Sequence, residues 1–320
     1  APSAALYPSG ILGFNLRASG GGVRCYKSSY DYGGNTPLAN VWVSQTGVKS
    51  DGSAYFLRKA QRKAVVVELQ AAITSNQEIR NEVNRFNIAA VPGYPELADE
   101  LLTLGVDRKN TVFSIIDAPF RLASDSTSVK NWVNNSNNAV ENGEDGLLSK
   151  SSEMAVYYPH GLTTNLDGQN IMVPSSHMAL RTFAFNDQVS FPWFAPAGFQ
   201  RGIVNNATSV GYLDAKEGEF EPVSLNEGQR DAYYLNKVNP ISNFPGRGIA
   251  VFGQKTLNAN ASALDRVNVS RLIIYLREQL DDAVKPLLFE QNDRITRNNA
   301  FGIVDRILGG LVASRGLFDY

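Results

Sequence analysis

One stretch in the last quarter of the chain comes within one residue of a nucleotide-binding loop. Residues 248–256 read GIAVFGQKT, whereas the phosphate-binding loop reads G-x-x-x-x-G-K-[ST]. In that loop the four residues between the glycines bend so that their amides face phosphate oxygens, and Lys directly follows the second glycine. Here the four residues are a run typical of a β-strand, namely Ile249, Ala250, Val251 and Phe252. Because Gln254 also displaces Lys255 by one position, the stretch favours turn, strand and turn over a nucleotide site.

Few other side chains are placed for catalysis. Asp117 ends a predicted parallel strand, where α/β enzymes carry catalytic carboxylates, but the following Ala-Pro favours a turn-capping role. His160 follows a strand and precedes a glycine, yet no G-x-S-x-G motif accompanies it, so we interpret it as a polar loop residue. His177, beside two serines, is interpreted as a helix-start residue. No carboxylate cluster has metal-ligand spacing, and we expect no catalytic residue, cofactor or metal site.

The composition is that of an ordinary globular protein. The 320 residues are 43% hydrophobic and 19% charged, and 30 Lys and Arg offset 31 Asp and Glu. A net charge of −1 gives no electrostatic reason to expect nucleic acid or an anionic membrane as a partner. Apolar runs are shorter than the roughly 20 residues of a membrane span, and we expect neither an anchor nor a signal peptide. With Cys25 as the only cysteine, an internal disulfide and a cysteine metal cluster are excluded.

Hydrophobic patterning predicts mixed α and β structure in the first half of the chain. Residues 1–60 are rich in Gly, Ser and aromatics, which indicates short strands, and VVVEL at 65–69 is predicted as a buried strand. Two further strands, 88–94 and 111–117, enclose a helix, so they form a βαβ unit with parallel strands. The polar residues 124–153 are predicted as a long surface connection.

Two amphipathic helices are predicted near the end of the chain. The first covers about residues 265–284, with Leu272, Leu276 and Leu280 spaced four apart on one face. A second follows, with Asn292 or Asp293 as its N-cap.

Eight segments occur in an order that resembles one protein family. They are AAVPGY with FSIIDAPF, AVYYP, VPSSHMA, WFAPAGFQRG, NPISNFPGRGIAVFGQKTL, VNVSRLIIYLREQL, LLFEQND and LVASRGLF. Together they resemble the contractile tail sheath proteins of bacteriophages, and also the sheaths of contractile bacteriocins. The likeness covers about residues 86–320 and is densest from Asn239 onward, whereas residues 1–85 match weakly.

The resemblance implies a multi-domain sheath fold of mixed α/β or α+β class. Residues 1–60 would belong to a β-rich outer lobe and residues 61–225 to a middle domain that contains the βαβ unit. Residues 226–320 would form a C-terminal inner domain of a small sheet with two long helices.

The resemblance also implies a structural role without catalysis. Copies would polymerise helically around a tail tube and contract to drive the tube through the host envelope. The implied partners are other copies, the tail tube protein, and the baseplate and tail terminator proteins, in a virion assembled in the host cytoplasm. Two alternatives stay open: a surface module that binds glycans through residues 1–60, and the nucleotide-dependent enzyme.

Assembly residues follow from the resemblance as well. Family sheaths add arm strands of neighbouring subunits to the inner sheet, so Ile249–Phe252 is the expected strand for this augmentation. They also hold the tube with a late helix, which makes three arginines candidate tube contacts or else simply solvated cations: Arg294, Arg297 and Arg306. The chain stops where the family's terminal arm would start, so we expect a core fragment without arms that is monomeric.

Overall fold

Two β-sheets organise the part of the chain that the computed structural model describes, which is residues 14–16, 23–25, 56–139, 143–214 and 219–320. The strands are β1 (Phe14–Leu16), β2 (Val23–Cys25), β3 (Ile88–Ala90), β4 (Phe113–Asp117), β5 (Met154–Tyr158), β6 (His160–Thr164), β7 (Asn170–Val173), β8 (Ser209–Leu213), β9 (Phe220–Pro222), β10 (Val238–Phe244) and β11 (Gly248–Val251). The helices are α1 (Phe56–Ser75), α2 (Ala98–Asp107), α3 (Ser126–Val133), α4 (Ser175–Val189), α5 (Gly198–Arg201), α6 (Glu227–Leu235), α7 (Val267–Val284) and α8 (Arg294–Ala313). The mixed α and β class predicted from the sequence is confirmed.

The larger sheet has the strand order β11-β10-β5-β4-β3. Strands β3, β4, β5 and β10 run parallel, and β11 pairs with β10 as an antiparallel hairpin. The predicted βαβ unit is confirmed as β3, α2 and β4. Every residue of β4 and β5 is buried, because helices cover both faces of this sheet and leave neither face to water.

Side chains of β5 alternate between two hydrophobic cores. Val156 and Tyr158 point into a core formed with α2, α3 and α6. Ala155 and Tyr157 point into a second core, formed with α4 and α7 on the opposite face. The period of two along a strand thus divides the interior into two layers.

The smaller sheet is antiparallel, with the strand order β7-β6-β8-β9. It begins directly after the larger one, because β5 ends at Tyr158 and β6 starts at His160. Only Pro159 separates the two sheets at this junction. A two-stranded antiparallel pair, β1 with β2, is the described part of the predicted β-rich lobe, and the rest of residues 1–55 lies outside the described residues.

The last two helices pack against each other, and the apolar stripe predicted for α7 is confirmed. Leu272 and Leu276 are buried with Leu311 of α8 and with Trp193, whose indole N–H donates to the carbonyl of Ser314 at 3.1 Å. None of the helices in the described ranges is long and apolar enough to cross a membrane.

The strand predicted at residues 65–69 is wrong, because these residues lie inside α1. Three consecutive valines favour a strand, but the surrounding residues are mostly Leu, Arg, Lys, Gln, Glu and Ala, which are good helix formers. Val66 is buried and Val65 is exposed, which is the one-sided burial of a surface helix.

The predicted surface connection at residues 124–153 is wrong in part, because it contains α3. Asp125 caps this helix by accepting the N–H of Ser128, and Trp132 is buried with its indole N–H donating to Gly143. The apolar residues of this segment are widely spaced among many polar ones, so the sequence pattern did not indicate a helix. The boundary predicted between residues 225 and 226 stays a prediction, and strands from either side of it, β5 and β10, pair directly.

Candidate functional site

The stretch that resembled a phosphate loop forms a β-hairpin strand. Residues 248–251 are β11, and Val251 lies opposite Ile241 in the register with β10. Lys255, the residue nearest to the lysine position of a phosphate loop, forms an ion pair with Asp265. Amides that belong to a strand ladder cannot curl around a phosphate, so the geometry excludes a phosphate loop here.

Strand β11 is the last strand of the larger sheet, and its outer edge is already hydrogen-bonded. Val251 donates its N–H to the carbonyl of Gly202 at 2.8 Å, and Val204 donates its N–H to the carbonyl of Ile249 at the same distance. Ile203 stands between these bonds as an antiparallel bridge to Ala250. Residues 202–204 therefore occupy the edge at which an added strand would pair.

The strand predicted to end at Phe252 ends one residue earlier, at Val251. The N–H of Phe252 still donates to the carbonyl of Pro240 at 2.8 Å, so the hairpin pairing continues, but the side chain of Phe252 is exposed. The remaining predicted strand residues, Ile249, Ala250 and Val251, are buried.

A buried polar cluster lies where the two sheets meet. The carboxylate of Asp117, at the end of β4, accepts the hydroxyls of Ser175 and Ser176 at 2.7 Å each. It also accepts the backbone N–H of Ser176 at 2.5 Å and that of Gly93 at 2.6 Å. Asp117 thus caps the start of α4 and fixes the turn after β3, which agrees with the turn-capping interpretation.

His160 belongs to the same cluster but is not a general base for either serine. Its Nδ1 accepts the backbone N–H of Ser175 at 3.2 Å, and the Ser175 hydroxyl lies 2.7 Å from both the carboxylate of Asp117 and the carbonyl of Tyr157. Burial lowers the pKa of His160, because desolvation disfavours the imidazolium form. The single proton of that hydroxyl is directed to these two acceptors and not to His160, so the serine is not prepared as a nucleophile. His160 is therefore a buried core residue, and its interpretation as a loop histidine is wrong.

His177 lies in the first turn of α4, as the sequence predicts, with an exposed side chain. Within the described ranges, no group of three or more His, Cys, Asp or Glu side chains is arranged to hold a metal ion. Sequence reasoning missed the pairing of Asp117 with the serines. The Pro-Ser-Ser start of α4 was its only local signal, since the partners are about 58 residues apart.

The three candidate arginines are all exposed on α8, but they do not share one face. At about 100° of rotation per residue, Arg294 and Arg297 lie about 60° apart, whereas Arg306 lies about 180° from Arg297. The guanidinium of Arg297 donates to Asn292 at 2.8 Å. The structure therefore brings Arg294 and Arg297 together and separates Arg306 from them.

The turn before α8 and the helix itself expose large apolar side chains that the sequence analysis did not single out. They are Leu288, Phe289, Ile295 and Phe301. Leu288 and Phe289 are neighbours in the turn, whereas Ile295 and Phe301 lie about 120° apart around α8. Neighbouring exposed apolar side chains such as those of the turn are typical of a contact with another protein. Once the helix was predicted, the positions of Ile295 and Phe301 around α8 could have been worked out from the sequence. The exposure of Phe289 depends on the conformation of the turn, so the sequence alone could not have predicted it.

Comparison with known proteins gives relatives for about half of the chain. No protein-family model matches it. It is 36% identical over 152 residues to the tail sheath protein of Vibrio phage KVP40, and 31% identical over 137 residues to that of Enterobacteria phage T4. These matches cover 48% and 43% of the chain, but only 21% and 19% of the relatives. The chain thus spans about a fifth of the curated relatives that it matches.

Solved structures extend the likeness to most of the chain. The helical sheath of the anti-feeding prophage in its contracted state matches with a TM-score of 0.57 and 20% identity, covering 75% of this chain and 58% of that one. The contracted sheath complex of an extracellular contractile injection system (PVC) matches with a TM-score of 0.56 and 20% identity, covering 88% and 75%. By sequence this chain is a relative of the phage tail sheath proteins, and by fold it is similar to the subunits of contractile sheaths.

Proposed function

We propose that this chain is a structural subunit of a contractile phage tail sheath. Copies polymerise helically around the tail tube, and their contraction drives the tube through the host envelope. One observation carries the proposal: the relatives by sequence are tail sheath proteins, and the similar folds come from sheaths solved in the contracted state.

This role needs no catalysis and no cofactor. Contraction can draw its free energy from the difference between two packings of the same subunits. A heterologous contact that does not close on itself generates a helix, so many copies act together. Even about 1 kcal/mol at each interface becomes a large driving force when it is summed over a sheath.

The partners that follow are other copies of this chain, the tail tube protein, and the baseplate and tail terminator proteins. The protein would then be part of the virion, after assembly in the host cytoplasm. A similar fold occurs in the anti-feeding prophage baseplate, with a TM-score of 0.54, which supports a place next to a baseplate.

We propose β11, with Phe252, as the strand to which a neighbour's arm is added. The outer edge of β11 is bonded to Gly202 and Val204, so an arm can pair there only after residues 202–204 move away. The covered edge would keep a free subunit from pairing before its partner arrives. We also propose that residues 1–320 by themselves stay monomeric, which sedimentation would test.

We propose that the arginines of α8 contact the tail tube. Arg294 and Arg297 can reach one surface together, and Arg306 faces the opposite side of the helix. A cationic helix surface would attract an acidic tube and set its orientation more than its final affinity.

Electron microscopy of the natural protein, expressed alone, tests the proposed function. Tubes or stacked rings with helical symmetry are the expected result. Dispersed particles at every salt and protein concentration would contradict it. Isothermal titration with ATP covers the enzyme alternative, since a nucleotide enzyme would bind ATP and lose binding in Lys255→Ala.

A further inference from the structure

The turn before α8 presents one aromatic side chain to solvent in an unfavourable backbone conformation. Phe289 has φ of 72° and is fully exposed, and Leu288 beside it is exposed as well. A bulky residue in the left-handed region is strained, and an exposed phenyl ring forgoes hydrophobic burial. Both costs fall on the same residue, which is characteristic of a side chain held ready for a partner.

Hydrogen bonds hold the backbone of this turn in one conformation. The N–H of Leu288 donates to the carbonyl of Lys285 at 3.1 Å, and the N–H of Glu290 donates to that of Leu287 at 3.2 Å. Asp293 then caps α8 by accepting the N–H of Thr296 at 2.7 Å. The backbone that carries Phe289 is therefore ordered before binding, so that binding has to order only its side chain.

A surface elsewhere on the chain has the complementary chemistry. Phe199, Phe244 and Phe252 form an aromatic corner beside the β10–β11 hairpin, with ring centroids 4.9 to 5.6 Å apart. Arg247 lies 4.5 Å from the centre of the Phe199 ring, and Arg230 lies 5.0 Å from that of Phe244. Phe252 is exposed, and Phe199 and Phe244 are half-buried. Aromatic rings with arginines are the usual composition of energetically important interface residues.

A groove of about 440 Å³ adjoins the aromatic corner. Its walls include Ala195, Ala197 and Tyr234, and Phe252 forms the side shared with the corner. At Gly198 a side chain would meet nothing within 4 Å, so the groove is open to solvent there. The groove is also lined by polar side chains, namely Glu227, Arg230, Asp231 and Gln254, and its aromatic and methyl groups are the part that suits a phenyl ring from another molecule.

The charges of the two surfaces also match. Glu290 follows Phe289 directly, is exposed, and forms no ion pair with any residue that the structure describes. Arg247 is exposed and, in the same part of the chain, contacts the ring of Phe199 but no carboxylate. Arg230 donates to the carbonyl of Leu225 at 2.8 Å and lines the groove together with the carboxylates of Glu227 and Asp231, so Arg247 is the corner cation that we assign to Glu290.

We propose that Phe289 of one copy binds the aromatic corner and groove of a second copy, with Glu290 pairing with Arg247. The inference rests on the proposed function, because it names one contact through which copies would polymerise. Phe289 and the aromatic corner belong to different elements of the same chain, so each copy can use one of them on each of two neighbours. Such a heterologous contact builds an open helix when the rotation between copies does not close a ring.

The test measures the protein concentration at which the natural protein forms tubes, by sedimentation and electron microscopy. Phe289→Asn removes the ring and keeps a residue that tolerates positive φ, so the fold is retained. It is expected to raise that concentration at least about tenfold, as loss of a buried anchor does. Leu166→Asn, at an equally exposed position in the turn after β6, is the matched control and should leave it unchanged.

A charge exchange tests the pairing itself. Glu290→Arg and Arg247→Glu should each raise the concentration about tenfold, and the double variant should return it to within about threefold of the original. The contact would be overturned if Phe289→Asn formed tubes at the original concentration, or if the double variant did not restore that concentration. In either case, tubes of the unaltered protein would still support the proposed function. If Phe289→Asn forms normal tubes alone but no longer holds the tail tube, the turn binds the tube and the proposal is also overturned. Absence of tubes from the unaltered protein would overturn both.

Discussion

The carboxylate of Asp117 accepts two hydrogen bonds from Ser176, one from its backbone N–H at 2.5 Å and one from its hydroxyl at 2.7 Å. Gly93 and Ser175 supply two more donors. All of this lies at the junction of the two sheets, so one buried side chain fixes the end of β4, the start of α4 and the turn after β3.

Replacement of this carboxylate is expected to be costly. Asp117→Ala leaves buried donors without partners, and we expect the free energy of unfolding to fall by about 3 kcal/mol or more. Urea denaturation followed by tryptophan fluorescence measures the loss. Asp167→Ala, in an exposed turn, is the control and should change stability by less than about 0.5 kcal/mol. Equal effects of the two variants would show that the cluster does not stabilise the fold.

Stability is expected to fall in mildly acidic solution because of His160. Its pKa in the folded protein is lowered from the ordinary value of 6.5 by burial, and the nearby Asp117 opposes this shift. The unfolded state therefore binds more protons below about pH 6.5, so the free energy of unfolding decreases as pH falls through that value. Denaturation curves at pH 7.5 and 5.5 should show the decrease.

Two variants test whether His160 causes this dependence of stability on pH. His160→Asn should flatten the slope between pH 7.5 and 5.5, whatever its effect on absolute stability. His177→Asn, which removes the exposed histidine, should keep the slope. A slope that survives in His160→Asn would assign the proton uptake to other groups.

The proposed arm pairing predicts a change in amide exchange at the edge of β11. In the free subunit the N–H groups of Val204 and Val251 are both bonded across that edge. On assembly, Val204 should lose protection as residues 202–204 leave, while Val251 should stay protected by the incoming strand. Hydrogen exchange of free and assembled protein measures both, and Phe252, bonded within the hairpin, serves as the internal control. Continued protection of Val204 in the sheath would show that the arm pairs elsewhere.

The geometry of α8 predicts unequal effects of its arginines on tube attachment. Arg294→Glu combined with Arg297→Glu should weaken cosedimentation with tail tubes about tenfold at low salt, because both face one surface. Arg306→Glu, on the other side of the helix, is compared with the single variants Arg294→Glu and Arg297→Glu and should have a smaller effect than either of them. Added salt should reduce the difference, since exposed charges are screened. Equal effects of the two sides would refute a tube contact on a single face.

The local sequence pattern alone determined those elements whose neighbouring residues all favour the same secondary structure. The leucines of α7 recur every four residues, and the buried runs of β4 and β5 carry apolar residues on both faces. Asn226 and Gln229 form a capping box at the start of α6. These elements depend on spacings within one turn or one strand, so the sequence contains all the required information. The order of the eight segments also predicted the relatives that the comparisons confirm.

Tertiary contacts decided the rest. Valines 65–67 became helical because their helix-forming neighbours and a single buried face outweighed a local strand preference. The cover of β11 by residues 202–204 joins segments about 50 residues apart, and the cluster around Asp117 joins segments about 58 apart. No local pattern encodes which distant backbone closes an edge, or that Phe289 must stand in solvent at positive φ. Those features follow from how whole elements pack, and they carry the proposals for how copies of this protein fit together.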